Sequence, residues 1–586
     1  MKSIFIFSIS LLFLTLFVSC ESVVPPNRAD FETAFEKSEG LETETYKSGL
    51  DFLARLDQGF EELEVFSYGL TDAGEPLHLA ILSPDHVFDA KKSHEKKKIV
   101  YFINNGIHPG EPDGIDATLK LYRDLLFSDN LKEKMGNVVL VSIPFYNVGG
   151  AMNRNSTTRV NQAGPKSYGF RGNAQNLDLN RDFIKSDTKN AQTFAQVFQN
   201  WQPDIFVDTH VSNGADYQYT LTYLATQEDK IGKALGDFMR KDMIPTLREN
   251  MKNAGEEMTP YVNVWGTTPD KGWSQFLDNP RYSTGYASLF STLSFMTETH
   301  MLKPFKDRVE ATYKFLDFTL DYANSNHEKI KKVRNLAIAQ TMGQKEFPLT
   351  WELDASRVDS IEFNGYEAEI LDSEVTNRKR LFYNKEKPYK KKIAWAGSFK
   401  PKNVVQKPKF YVIPQGWERM ITLLKNNEVR MTQLDEDSLM DVMAYKILDY
   451  KTVSEPYESH YLHSNVEVEK IAKKVKFHRG DYLIPTDQLR VRFIIETLEP
   501  QAVDSYFNWN FFDAILQRKE HYSPYVFEDK AKEILANNPE LKAKFEVKMK
   551  EDATFSKSPK WQLHYVYENS EFSEPSYRIY PVFRVE

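Results

Sequence analysis

YFINNGIHPGE, residues 101–111, runs an apolar stretch into a glycine-rich turn holding His108 and Glu111, two metal-ligand types three positions apart. A neutral imidazole and a carboxylate both suit Zn²⁺, and a site with three protein ligands leaves one position open for water. The spacing alone discriminates little. With 12 His and 83 Asp plus Glu in 586 residues, chance supplies about two His-x-x-acid pairs. The chain has three: His86/Asp89, His108/Glu111 and His478/Asp481. Only the middle pair follows a buried-strand pattern, 98–104, and precedes a helical one, 113–126. Sites in open α/β sheets gather beyond the carboxyl ends of strands, and this context favours His108/Glu111.

Two further segments end in the same way. DIFVDTH, 204–210, reads as a short buried strand delivering His210, and STLSFMTETH, 291–300, delivers Glu298. Upstream of both, NLDLNRDF, 176–183, places Asp178, Asn180 and Arg181 in a polar stretch after the glycine-rich YGFRGN. Each residue alone has an ordinary structural reading, such as a satisfied core histidine for His210 or a surface ion pair for Asp178 and Arg181. Their joint occurrence, three of four elements at expected strand ends, shifts the balance.

On the ordered types His-x-x-Glu, Asp-x-Asn-Arg, His and Glu, the chain resembles the zinc carboxypeptidases of the carboxypeptidase A/B type over roughly residues 45–325. The resemblance implies a mixed-sheet α/β/α catalytic domain and one Zn²⁺ held by His108, Glu111 and His210. It implies that Asp178 orients the His108 ring, since a ligating imidazole usually donates its other N–H to a carboxylate. Asn180 and Arg181 would hold the terminal carboxylate of the substrate, a task suited to a planar guanidinium. Glu298 would be the general base, and Arg159 the arginine that polarises the scissile carbonyl, with Arg154 and Arg171 as competitors. Tyr282 and Tyr286, in PRYSTGYASLF, both offer the substrate-binding tyrosine. His300, on the same strand face as Glu298, reads equally well as a pocket residue or a structural one. The segment between about 255 and 290 would build the specificity pocket, with Thr267, Asp270, Trp273 and Asp278 as candidates.

Length and composition agree with a large exported protein. A single core stops growing near about 250–300 residues, so a chain of 586 implies at least two domains. Hydrophobic content of 41% excludes global disorder, and a net charge of −8 without a basic patch excludes nucleic acid as the expected partner. The one cysteine, Cys20, follows MKSIFIFSISLLFLTLFVS, a lysine and then a short apolar run, which looks like a bacterial lipoprotein signal. The expected mature chain starts at an acylated Cys20 and is lipid-anchored to a cell-envelope membrane. Residues 1–19 are thus read as signal, 20–44 as tether, 45–345 as catalytic domain and 346–586 as a mixed α and β accessory domain.

In the catalytic region a hairpin is expected around 71–76, strands near 138–144 and 291–298, and helices over 188–201, 227–250 and from about 305. Beyond 345, FPLTWELD, FYVIP and FIIETL read as strands, while GWERMITLL and AKEILANNPELKAKFEVK read as helices. The aromatic run YFNWNFF, 506–512, reads as core packing rather than a glycan-stacking surface. The functional expectation is a zinc metallocarboxypeptidase acting on peptides with a free C-terminus outside the cytoplasm. An amidase on cell-wall stem peptides or a deacylase using the same zinc site, and an inactive lipid-anchored binding protein, are the alternatives.

Overall fold

The computed structural model describes residues 26–586, so the signal-like segment and Cys20 lie outside the described residues. The first part of the chain supplies nine strands: β1 (Leu63–Leu70), β2 (Pro76–Leu82), β3 (Ile99–Asn104), β4 (Val138–Ile143), β5 (Ile205–Ser212), β6 (Leu221–Ala225), β7 (Met258–Pro260), β8 (Trp273–Ser274) and β9 (Leu293–His300). Eight of them form one mixed sheet in the order β1-β2-β4-β3-β5-β9-β6-β7. The centre, β4-β3-β5-β9, is parallel, and β2 and β6 flank it antiparallel.

Strand alternation divides the core between the two faces of the sheet. Val100, Phe102, Val139, Val141 and Phe206 pack on one face with Phe194 and Phe198 of the helix Lys189–Trp201. Ile99, Tyr101, Ile103, Leu140 and Val207 pack on the other, under the helices Asp113–Leu126 and Phe305–Ser325. Buried on both sides, β3 and β4 are nearly continuous apolar runs, broken by Ser142 in β4 and ended by Asn104 in β3, as suits central parallel strands. The helix Asp113–Leu126 approaches β5 closely at Gly114, where an added Cβ would stand 2.0 Å from Thr209 Oγ1. That contact draws the turn carrying His108 and Glu111 against the end of β5.

Some expected elements differ from those observed. The helix expected over 227–250 begins at Lys233, because the Gln227 side chain accepts from the Asp229 and Lys230 amides and Gly232 takes φ +82°. It widens to a π turn at Met239–Met243 just ahead of Pro245, whose ring nitrogen has no proton to donate. FIIETL belongs to the helix Val491–Leu498, not to a strand. All eight residues of that helix are buried, so the one-sided periodicity that identifies a helix is missing. The single helix expected over 531–548 is two, Pro524–Asn537 and Pro539–Glu551, with Pro539 and the Asn538 cap dividing them. The expected tether is partly folded: Phe31 and Phe35 are buried against Phe52 and Phe305, and Ala34 N donates to Glu44 at 2.6 Å.

The part beyond 345 carries a six-stranded sheet containing Phe410–Ile413, Ser438–Thr452 and His463–Phe477, and a long hairpin of Asp359–Asp372 with Lys379–Ala396. The last helix before it ends at Gly343 and its first strand starts at Glu346, yet the core runs across that point. Phe347, Tyr411, Phe493 and Trp509 join the cluster on the Phe102 face of the main sheet, and Phe290 stacks on Phe493 at 5.6 Å. Tyr506, Phe507, Trp509 and Phe512 of the aromatic run are fully buried. The hairpin also pairs through Trp395 and Ala396 with β8. Among the described residues no helix is long and apolar enough to cross a membrane.

Candidate active site

The turn after β3 and the ends of β5 and β9 meet at one edge of the sheet. His210 and Glu298 are direct partners in the parallel β5/β9 register, so both side chains leave the same face. His108, Glu111 and His210, all buried, bring three ligand atoms within 4.8 Å of one another. Glu111 Oε2 lies 3.2 Å from His108 Nδ1 and 3.3 Å from His210 Nδ1. Each ring faces inward with Nδ1 and turns Nε2 to a carboxylate: His108 to Asp178 Oδ1 at 2.9 Å, His210 to Asp208 Oδ2 at 2.7 Å. Two imidazoles and one carboxylate, each ring backed by an acidic acceptor, make a donor set that fits zinc.

Asp208 lies outside the motif residues named from the sequence. Its signal is the Asp-x-His alternation, which puts two side chains of one strand on the same face. Asn104 Nδ2 donates to its other oxygen at 3.0 Å, fixing the carboxylate that fixes the ring. Behind the site, Arg308 Nε bonds Asp113 at 3.0 Å and Thr299 donates to the same carboxylate, tying the first turn of the 113–126 helix to β9.

The electrostatics follow from burial and charge. Burial alone would push the Glu111 carboxyl up, but His108 and Arg159 outweigh it and hold the group well below the usual range. The same contest keeps Asp178 low, with His108, Arg171 and Arg181 against burial. Asp208 and Glu111 overcome the burial of His210 and raise its pKa well above that of a free imidazole. Glu298 goes the other way: burial pushes it up to about 7, with His210 pulling it down and Glu111 adding to the rise.

A cavity of about 360 Å³ opens over these groups, lined by His108, Glu111, His210, Glu298, Asn180 and Arg181 together with Arg171, Tyr261, Trp265, Phe276 and Tyr282. Arg159 is not in its lining. Its Nη2 donates to Glu111 Oε1 at 2.8 Å and its Nε to Gln162 at 2.6 Å, so it braces the carboxylate from behind while Arg171 faces the cavity. Arg154 bonds the Glu44 and Ser167 carbonyls. Tyr286 is a core residue. It is fully buried among Phe183, Phe198 and Phe290, and its hydroxyl is taken up by Asn427 at 2.5 Å. Tyr282 is the tyrosine of that pair that lines the cavity, with the Arg181 guanidinium 4.6 Å from its ring centre. His300 is structural, with Nε2 bonded to the Ala215 carbonyl at 2.8 Å.

Of the specificity candidates, Trp273 is buried against Phe363 and donates to the Tyr261 carbonyl, and Asp278 is buried away from the cavity. Thr267 and Asp270 are likewise outside its lining. A zinc titration tests the ligand set. His210→Ala is expected to lose most of the metal, and Asp208→Asn to weaken affinity about 10–100-fold by releasing the ring. Full zinc retention by His210→Ala would remove that residue from the set.

Residues 50–250 match the Peptidase_M14 family, described as zinc carboxypeptidase. The chain is 21% identical over 432 residues to a protein named Carboxypeptidase 2 of Trichophyton rubrum, covering 70% of this chain and 73% of that one. It is also 21% identical over 446 residues to Carboxypeptidase 2 of Trichophyton equinum, covering 71% and 75%. Among solved structures, a putative carboxypeptidase A from Shewanella denitrificans aligns with a TM-score of 0.36 at 17% identity, over 48% of this chain and 69% of that one. A metallo-carboxypeptidase from Pseudomonas aeruginosa aligns with the same TM-score at 14% identity, over 48% and 68%. The family match and the curated relatives agree with the chemistry of the donor set: over residues 50–250 the chain is similar to the zinc carboxypeptidases of the Peptidase_M14 family.

Proposed function

We propose that this metallocarboxypeptidase removes C-terminal amino acids from peptides that carry a free terminal carboxylate, outside the cytoplasm. The observation that carries the reading is one cavity in which the His108–Glu111–His210 cluster, the Glu298 carboxylate and the Arg181 guanidinium all open onto the same space. His108, Glu111 and His210 would hold zinc, which would supply Lewis-acid polarisation of the scissile carbonyl and acidify water.

The remaining work falls to the chain itself. Arg181, next to Asn180, pairs with the terminal carboxylate through a planar fork and so sets which peptide bond reaches the metal. Arg171, the guanidinium that faces the cavity, is assigned to the carbonyl oxygen in place of Arg159. Glu298 takes a proton from the attacking water and passes it to the leaving amine. A buried carboxyl pushed up to about 7 is matched to both transfers near neutral pH. Leu224, Tyr261, Phe276 and Met296 form an uncharged wall of the cavity, which favours an apolar or aromatic C-terminal side chain.

Mass spectrometry of products from a peptide panel with varied C-termini tests this. Apolar C-termini are expected to be released fastest, and amidated twins to resist. Cleavage of amidated peptides at equal rates would instead favour the amidase reading.

Glu298→Gln is expected to keep its zinc and fold while losing about 10²–10⁴ in kcat, the usual worth of a positioned base. A residual rate above about a tenth of wild type would contradict the role, since general acid–base catalysis contributes at least tenfold more than that. Because the base works only when deprotonated, kcat/KM of the wild type should fall on the acid side as Glu298 takes up a proton, at a pH above the ordinary carboxylate range because burial raises this group.

The location rests on Cys20 and the signal-like segment before it. Cys20→Ser is expected to yield an unacylated protein in the soluble fraction; unchanged membrane association would refute the lipid anchor.

A further inference from the structure

The connection between Ser438–Thr452 and His463–Phe477 reaches from the second half of the chain to the segment that carries Asn180 and Arg181. Its tip is a tight turn closed by two backbone bonds, Tyr457 N to His460 O at 2.7 Å and His460 N to Tyr457 O at 3.0 Å. The two central residues, Glu458 at φ +49° and Ser459 at φ +66°, are both left-handed and neither is glycine. Such a turn prefers Asn-Gly or Gly-Gly, and side chains persist there only when the surroundings over-determine them.

The surroundings do so through three anchors. The Tyr457 hydroxyl accepts from Arg181 Nε at 3.0 Å. Glu458 Oε2 accepts from the Asp178 amide at 2.8 Å. His460 Nε2 lies 2.7 Å from Asp187 Oδ2. The Tyr457 ring also stacks on the buried Trp509, so its hydroxyl is held by the accessory core rather than by the catalytic region. Arg181 is thereby gripped on two sides, with the Tyr282 ring against its face and Tyr457 at Nε, while Nη1 donates to the Asn180 carbonyl at 2.8 Å. Among the described residues no protein acceptor takes its Nη2 donors.

We propose that the turn 457–460 completes the carboxylate-binding end of the active site, with Tyr457 and Glu458 as positioning residues that aim the free Nη2 edge of Arg181 at the terminal carboxylate of the peptide. The inference rests on the reading of Arg181 as the carboxylate partner. A guanidinium on a long flexible stem loses less freedom on binding when it is already locked, so the clamp acts on substrate affinity rather than on the chemical step. It also makes the accessory half a part of the active site.

The test uses the full-length zinc enzyme and a peptide with a free C-terminus. Tyr457→Phe removes one oxygen from a stacked ring and should keep the fold and the zinc. Its KM is expected to rise about three- to tenfold with kcat nearly unchanged, the signature of lost uniform binding. Glu458→Gln, which keeps the length of the side chain but weakens the acceptor, should shift KM in the same direction by less. In an Arg181→Ala background Tyr457→Phe should have no further effect on KM, because nothing is left to aim; a merely structural role would leave the two effects additive. A rise in KM for Arg181→Ala with none for Tyr457→Phe would overturn the clamp. No rise for either would overturn the role of Arg181 itself.

Discussion

The Glu111 carboxylate is the group around which this site is built. It is buried, where an ionised carboxylate is costly, and it stays ionised because the two inward-facing Nδ1 atoms, Arg159 and the Val211 amide all point at it. None of these positive or donor groups can be misplaced without leaving a charge in the interior. Each is therefore fixed by a second partner: His108 by Asp178, His210 by Asp208, Arg159 by Gln162. A set of neighbours that rigid is also what a metal needs, since a preformed donor cluster spends little on ordering when the ion arrives.

The sheet supplies the rigidity. Three adjacent parallel strands, β3, β5 and β9, end at the same edge, and the chain places Glu111 beyond the first, His210 on the second and Glu298 on the third. A one-residue slip between β5 and β9 would send Glu298 to the opposite face from His210. Apolar residues buried on both faces of these strands prevent that slip, so the packing of Val207 and Phe295 below and Phe206 above is part of the catalytic geometry.

What the sequence revealed and what it hid follow from the range of each interaction. The zinc cluster was legible because its residue types are chemically restricted and sit at strand ends, which composition marks locally. Asp208 is hard to read although it is two positions from His210, since an acidic residue in an apolar strand has no evident role without its partner. The arginines are hard to tell apart for a different reason. Three arginines share the stretch 154–171, and only the three-dimensional course of the loop decides which guanidinium faces the cavity and which stands behind Glu111. Tyr282 is the extended cap residue ahead of the short helix Ser283–Ser288 and stays at the cavity, whereas Tyr286 lies within the helix and turns into the core. The helix Val491–Leu498 reads as a strand because burial on every side removes the pattern that tells the two apart.

The change of regular structure near 345 does not divide the core. Regular structure changes there, from two long helices to a β-rich region, but the apolar cluster on the Phe102 face continues without a break into Phe347, Tyr411, Phe493 and Trp509. Fully burying a side chain of this size is worth about 1.5–3 kcal/mol, so several such residues at a shared face amount to a large fraction of the stability of a typical domain. The Arg281–Asp504 ion pair, with Arg281 stacked 4.9 Å over the Trp509 ring, extends the same contact to within one residue of Tyr282. Across a core shared in this way, a turn carried by one half reaches a guanidinium of the other. A mobile accessory domain would forfeit that contact; a shared core provides it.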